Sequence, residues 1–237
     1  MSRNRGLLAY LGERLDVQLP VRTHQGRPTA EYRGTFAGYQ WIKGESLMRA
    51  RVGEEDRGPI ARSLATLLRT LHPLGATTAK SFSVATTDRQ NELSLRAEIA
   101  QKRASELATS IYADISAEAA AEMTPAPDRC PTSDYRLVHG DLHPGQILVD
   151  GEQNMVAVID WDDIRLGDPA YDLQMVYSFV PPSSRSHFWD RYGPFAGHHR
   201  ARHLALSYGL AFLARAMRDG DSELAHTAAS QLRNALG

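Results

Sequence analysis

Leu7, Leu8, Leu11 and Leu15 recur at the spacing of one helical face, and Pro20 closes the segment, so an amphipathic helix is predicted at the start of the chain. The text EYRGTFAGYQWI, from Glu31 to Ile42, mixes aromatic and other apolar residues with glycines and predicts one or two short strands ending at Gly44. Ile60, Leu64, Leu67, Leu68 and Leu71 then mark a core helix that stops at His72 and Pro73. Asp88 is the predicted N-cap of a long helix carrying Leu95, Ile99, Leu107, Ile111 and Ile115 towards the proline-rich loop MTPAPDRCP. At Leu137 the pattern changes. LVH, QILV and MVAVI are short apolar runs separated by HGDLHPG and DGEQN, the pattern of buried strands joined by a functional loop and a hairpin turn. From Tyr171 onward helical periodicity returns, broken at Pro181 and Pro182 and again at Gly193 and Pro194.

Composition narrows the classes open to such a chain. A 42 % apolar fraction over 237 residues is ample for a buried core. The 27 basic and 28 acidic side chains leave a net charge of −1, so no global field draws it to nucleic acid or an anionic membrane. Cys130 is the single cysteine and cannot form an internal disulfide, and the text MSRNRGLLAYLGERL is too charged for a signal peptide. The most apolar late stretch, LALSYGLAFLARAM, falls well short of the ~20 residues that cross a bilayer. A cytoplasmic protein is expected, with neither nucleic acid nor membrane among its partners.

Candidate chemistry lies in LVHGDLHPGQILVD (137–150), VIDWDD (158–163) and LGDPAYDL (166–173). A strand delivers His139 and Asp141 into a loop tightened by Gly140, Pro144 and Gly145. The chain re-enters a strand at Gln146 and returns through a hairpin to present Asp160. Two carboxylates and an amide converge in this reading. Phosphoryl transfer needs such a set, with one carboxylate to take the proton of the attacking hydroxyl and oxygen ligands to hold Mg²⁺ against nucleotide phosphates. His139 reads as a brace for Asp141 rather than a base, and His143 as a loop residue that either approaches substrate or satisfies loop carbonyls. Asp168 and Asp172 read as caps of the following helix.

These motifs resemble the aminoglycoside phosphotransferase and choline kinase-like branch of the protein kinase fold, and among its members the macrolide phosphotransferases. The resemblance implies an α+β fold, with residues 1–44 as a truncated small N-lobe and hinge and 45–237 as a mostly helical C-lobe carrying the catalytic hairpin. It implies that Asp141 is catalytic, that Gln146 (usually asparagine in the family) and Asp160 bind Mg²⁺, and that main-chain groups at Tyr39, Gln40, Trp41 and Ile42 meet the base of ATP or GTP. The acceptor would be a hydroxyl of an aminoglycoside- or macrolide-like antibiotic, with Asp162 and Asp163 either contacting a cationic substrate or forming a solvated acidic loop.

One departure stands out. The family's glycine-rich loop and phosphate-gripping lysine strand are not visible, and the matching glutamate position falls at Asn4 or a neighbour. Lys43, Lys80 and Lys102 are the only lysines, and arginine does not simply replace them because its planar fork places charge differently. A truncated kinase-like protein that binds without catalysis, or associates through the incomplete lobe, is the competing reading. A metal-dependent phosphoesterase ranks third.

Overall fold

A computed structural model describes residues 3–87 and 91–237. The chain opens with α1 (Arg3–Gly12), whose Leu7, Leu8 and Leu11 are buried. The helix is shorter than its leucine spacing suggests, because Leu15 and Leu19 reach the core from turn and extended backbone instead. Asn4 lies in the first turn of α1. A hairpin follows, β1 (Arg22–Gly26) paired antiparallel with β2 (Phe36–Tyr39). The aromatic text supplied only β2; β1 reads RTHQG and faces solvent, so it carries no apolar alternation to announce it.

β3 (Glu45–Ser46) precedes α2 (Arg57–Leu71), which buries Ile60, Leu64, Leu67, Leu68 and Leu71 as the spacing requires and packs on α7 (Arg185–Tyr192). A short α3 (Gly75–Ser81) leads towards Asp88, whose capping role lies outside the described residues. The long helix expected up to Ile115 is two helices, α4 (Asn91–Glu106) and α5 (Ala113–Glu122), packed on one another. The turn between them buries Leu107 and leaves Ile111 90 % exposed, so Ile111 never belonged to the apolar stripe. The amide of Gln101 donates to the Ala120 carbonyl across the pair.

The catalytic-type segment builds two small sheets. β4 (Arg136–Val138) pairs antiparallel with β7 (Arg165–Gly167), while β5 (Ile147–Val149) and β6 (Met155–Val158) form a hairpin extended by β3. The three apolar runs are therefore divided between sheets. β7 is short, with buried Arg165 in place of an apolar residue, and its text RLG gives no strand signal. The remaining helices are α6 (Ala170–Ser178), α8 (His198–Asp219) and α9 (Ser222–Leu236), and α8 packs on α4, α6 and α9. Gly209 lets α8 and α9 close, since a Cβ there would stand 2.6 Å from a Leu232 methyl. Asp221 caps α9 by accepting the Leu224 N–H. Among the described residues, no helix is long and apolar enough to cross a membrane.

His203 ties α8 to α4, its Nε2 donating to the Leu93 carbonyl at 3.0 Å. Burial pushes its imidazole below the usual 6.5, aided by Arg96 and opposed by the Leu93 bond, and burial does the same to His198. As pH falls below about 6.5, the unfolded chain takes up these protons before the native one does. The melting temperature is therefore expected to drop from about pH 7 to pH 5, and less steeply in His203→Asn. Scanning calorimetry against pH checks this; identical slopes in both proteins would contradict it.

Candidate active site

The loop after β4 is held by one carboxylate behind it. Asp172, wholly buried in α6, accepts the main-chain N–H of His139 at 2.8 Å and of Gly140 at 2.9 Å, and meets His72 Nε2 at 3.2 Å. Asp172 is therefore a tertiary anchor and not the helix cap expected of it. Its backbone targets lie 32 and 33 residues away, a range at which sequence spacing gives no warning. Burial alone would raise its pKa, but the His72 bond and charge, with His139 and the Gly140 N–H, outweigh it and hold the carboxyl below its usual range. Asp168 does cap, its Oδ1 accepting the Ala170 N–H at 3.0 Å while Oδ2 binds Arg200 at 2.7 Å.

Gly140 sits at φ +90, and a Cβ there would lie 2.2 Å from Arg165 Nη1 and 2.5 Å from the Asp163 carbonyl oxygen. Arg165 is buried beneath the turn. It donates through Nη2 to the Gly140 carbonyl and through Nη1 to that of Asp163, with its guanidinium 4.7 Å over the Tyr171 ring. His139 is buried and braces the loop as the sequence suggested: Nε2 lies 3.0 Å from the Ile159 carbonyl and Nδ1 3.4 Å from the Asp141 N–H. Trp161 packs 4.7 Å from that ring, and its indole N–H donates to the Val158 carbonyl.

Asp160 follows β6 in left-handed backbone (φ 62, ψ 60), a conformation rare outside glycine and tolerated best by Asp and Asn. Its carboxylate is exposed, while Gln146 is buried between Asp160 and His143. One terminal carboxamide atom of Gln146 lies 3.1 Å from His143 Nε2 and 3.2 Å from Asp160 Oδ2. Asp141 and Asp160 both pull the His143 pKa upward. Burial is nevertheless the larger effect and, with His139, holds it below the usual value.

Hydrogen-bond logic tests whether this place suits a hard cation. The Gly145 N–H donates to His143 Nδ1 at 3.0 Å, which leaves the proton of the neutral ring on Nε2. A carboxamide nitrogen facing Nε2 sets donor against donor. Turned half round, the carboxamide presents its oxygen, which accepts from His143 but then stands against the Asp160 oxygen. A cation between those two oxygens satisfies every group, and an oxygen pair about 3 Å apart suits neighbouring ligands of Mg²⁺. Among the described residues no cluster of three or more His, Cys, Asp or Glu side chains could hold a metal. That is compatible with Mg²⁺, which is commonly held by one or two protein oxygens plus phosphates.

The segment expected to meet the nucleotide base lies nearby. Tyr39 pairs in register with Arg22, whose guanidinium binds Asp162 at 2.6 Å, two residues beyond Asp160. Tyr39, Gln40 and Trp41 are exposed and Ile42 is buried. Asp162 is thus engaged by the hairpin, and neither it nor Asp163 lines the cavity beside Asp141. That cavity, about 290 Å³, is walled by Leu142, His143, Tyr171, Tyr208 and Phe212 from the loop, α6 and α8. Tyr208 and Phe212 were passed over because their apolar text reads as core; only the approach of α8 to the loop brings them to the site. Cys130 offers no nucleophile, since burial and Asp168 push its thiol up to about 12.

The family model described as phosphotransferase enzyme family, APH, matches residues 2–204. The chain belongs to this family. Solved phosphotransferases share its kinase-like α+β fold. Wild-type aminoglycoside 2'-phosphotransferase-IIIa, solved as a GDP complex, superposes with TM-score 0.65 at 20 % identity, over 99 % of this chain and 80 % of that one. A macrolide 2'-phosphotransferase from Brachybacterium faecium gives TM-score 0.58 at 22 % identity, covering 97 % and 78 %. By sequence, viomycin phosphotransferase of Streptomyces vinaceus is 42 % identical over 52 residues, 21 % of this chain and 18 % of that protein. The chain spans about a fifth of the length of the curated relatives it matches.

Asp172 is expected to govern the phosphotransferase loop's stability. Asp172→Ala strands two buried N–H groups and His72, and should cost about 3–5 kcal/mol in urea unfolding. Because its native pKa is lowered, the wild-type contribution is present above the ordinary 3.8 and disappears as pH falls through the native value. A loss below about 1 kcal/mol in the alanine variant would show that the loop is held some other way.

Proposed function

We propose that the protein transfers the terminal phosphate of ATP or GTP to a hydroxyl of a small molecule, an aminoglycoside- or macrolide-like antibiotic, and so confers resistance to it. The observation that carries this reading is the contact of Gln146 with Asp160 and His143 beside a cavity that Asp141 and His143 line together, on a loop anchored by Asp172. Asp141, at the mouth of the cavity, orients the acceptor hydroxyl and takes its proton. Asp160 and Gln146 are the residues that would hold Mg²⁺, with His143 fixing the carboxamide oxygen towards Asp160. Bound there, Mg²⁺ would neutralise phosphate charge. Main-chain groups from Tyr39 to Ile42 seat the base, in a small lobe of residues 1–44 set against a C-lobe of 45–237, and the protein works in the cytoplasm.

A second reading, binding without transfer, is favoured by the hairpin itself. Neither β1 nor β2 carries a lysine, and Arg22 is already engaged with Asp162. Tyr32, Phe36, Tyr39 and Trp41 are exposed along the same segment, Trp41 at 83 %, and in this reading they mediate self-association. Light scattering should then give a mass above 26.2 kDa that falls towards it in Trp41→Ser with Phe36→Ser. A wild-type monomer would remove that role.

The first reading is tested with Mg²⁺, ATP or GTP and a panel of hydroxylated antibiotics, reading one added phosphate by mass spectrometry. Asp141→Asn should lower the rate by about 10²–10⁴-fold. His143→Phe should raise the Mg²⁺ concentration for half-maximal rate by about 10–100-fold, as expected on loss of a group that orients a ligand. Transfer that persists in Asp141→Asn would reject the role of that carboxylate. Absence of transfer with ligand binding intact would leave the second reading.

A further inference from the structure

The cavity at Asp141 carries an unusual balance of charge. Among its described lining residues Asp141 is the only carboxylate. Its other polar groups are largely satisfied within the protein: the Gln174 amide donates to the Leu142 carbonyl at 2.6 Å, and the Ser178 hydroxyl donates to Gln174 Oε1 at 3.1 Å. His143 is engaged with the Gly145 N–H and Gln146, and burial keeps the Tyr171 hydroxyl protonated. The aromatic rings are not free cation traps either. Arg165 lies 4.7 Å over Tyr171 and Arg96 5.0 Å over Tyr208, so each ring already has a guanidinium on one face. The carboxylate behind that wall, Glu92, is paired with Arg96 at 3.3 Å.

A second cavity of about 470 Å³ adjoins the first, the two sharing Pro144, Ser178 and Gln231 as walls. It is bounded by Leu47, Val52 and Phe179, with Arg51, Arg57 and His226 beside a single acid, Glu223. Glu223 is bound to Arg51 at 2.7 Å across the opening between the segment after β3 and α9. Arg57 is committed to the Val52 and Phe179 carbonyls. The extension therefore offers apolar area and net positive charge.

We infer that the acceptor is a hydroxylated molecule with a broad apolar face and at most one positive charge, lying with its reactive hydroxyl at Asp141 and its body against Tyr208, Phe212 and the adjoining cavity. The inference rests on the phosphotransferase reading only in taking the Asp141 cavity as the acceptor site. A polyamine sugar would have to strip water from several ammonium groups with one carboxylate to meet them, an uncompensated cost of several kcal/mol per buried ion. An apolar ring system meets the aromatic walls without that penalty.

The test is calorimetric titration of the full chain with erythromycin, which carries one tertiary amine on a large apolar ring, and with kanamycin, which carries several amines on hydrophilic rings. Erythromycin is expected to bind about tenfold tighter or more, with little change as salt is raised. Phe212→Glu, which adds a carboxylate to the wall, should weaken erythromycin and strengthen kanamycin. Should that variant fail to fold, the salt series on the wild type decides alone. Kanamycin binding as tightly as erythromycin, or neither ligand binding, overturns the inference. Erythromycin bound without phosphate transfer leaves the ligand class of the cavity standing and rejects the phosphotransferase reading, whereas phosphorylated kanamycin does the reverse.

Discussion

Everything at the site depends on the grip of the buried Asp172 carboxylate on the backbone of His139 and Gly140. Charge-assisted bonds to main-chain N–H groups are worth about 1.5–3 kcal/mol each and fix both position and direction. They set the loop rigidly on α6, so that Asp141 projects from a surface that cannot drift. The same carboxylate meets His72 at the end of α2, and His72 meets the Tyr192 hydroxyl of α7 at 2.7 Å. A single ion thus links the loop and α6 to the end of α2 and, through His72, to α7. Positioning is most of what phosphoryl transfer asks of a protein, and under the proposed function the buried polarity behind the loop would supply it.

What the amino-acid text disclosed followed from periodicity and from local motifs. The face of α2, the β5 and β6 hairpin and the breaks near Pro181 and Gly193 are local features, and the folded chain keeps them. Gln146 and Asp160 were legible as neighbours because strand and hairpin bring their side chains to 3.2 Å, while Asp141 lies on the same loop with His143 in the cavity wall. Nothing comparable marks Asp172, whose role depends on a distant backbone, or Tyr208 and Phe212, which reach the cavity only through the placement of α8. β1 was hidden because an exposed hairpin strand has no apolar face to reveal it. The break between α4 and α5 was hidden for the opposite reason: Leu107 and Ile111 have helical spacing, yet only the first is buried.

The site also shows how one histidine can serve two surfaces. His143 turns one nitrogen to the Gly145 N–H and the other to Gln146, while its ring stands 6.1 Å from Phe212 in the cavity wall. A change on the acceptor side that shifted this ring would be felt at the carboxamide. Under the proposed function, ligand shape and ion geometry would therefore not be independent variables. Glutamine, one methylene longer than asparagine, needs such a support, because its extra rotatable bond would otherwise leave the oxygen unaimed.

Gly140 and Arg165 have a consequence for how this chain can vary. The guanidinium occupies the space a β-carbon at 140 would need, and the carbonyl of residue 140 is in turn one of the few partners that Arg165 has in its burial. Gly140 altered alone leaves a clash, and Arg165 altered alone leaves two carbonyls without their donor. The two behave as a single unit of inheritance, so drift can pass through them only by a paired exchange, and homologous chains should sort into groups defined by both residues at once.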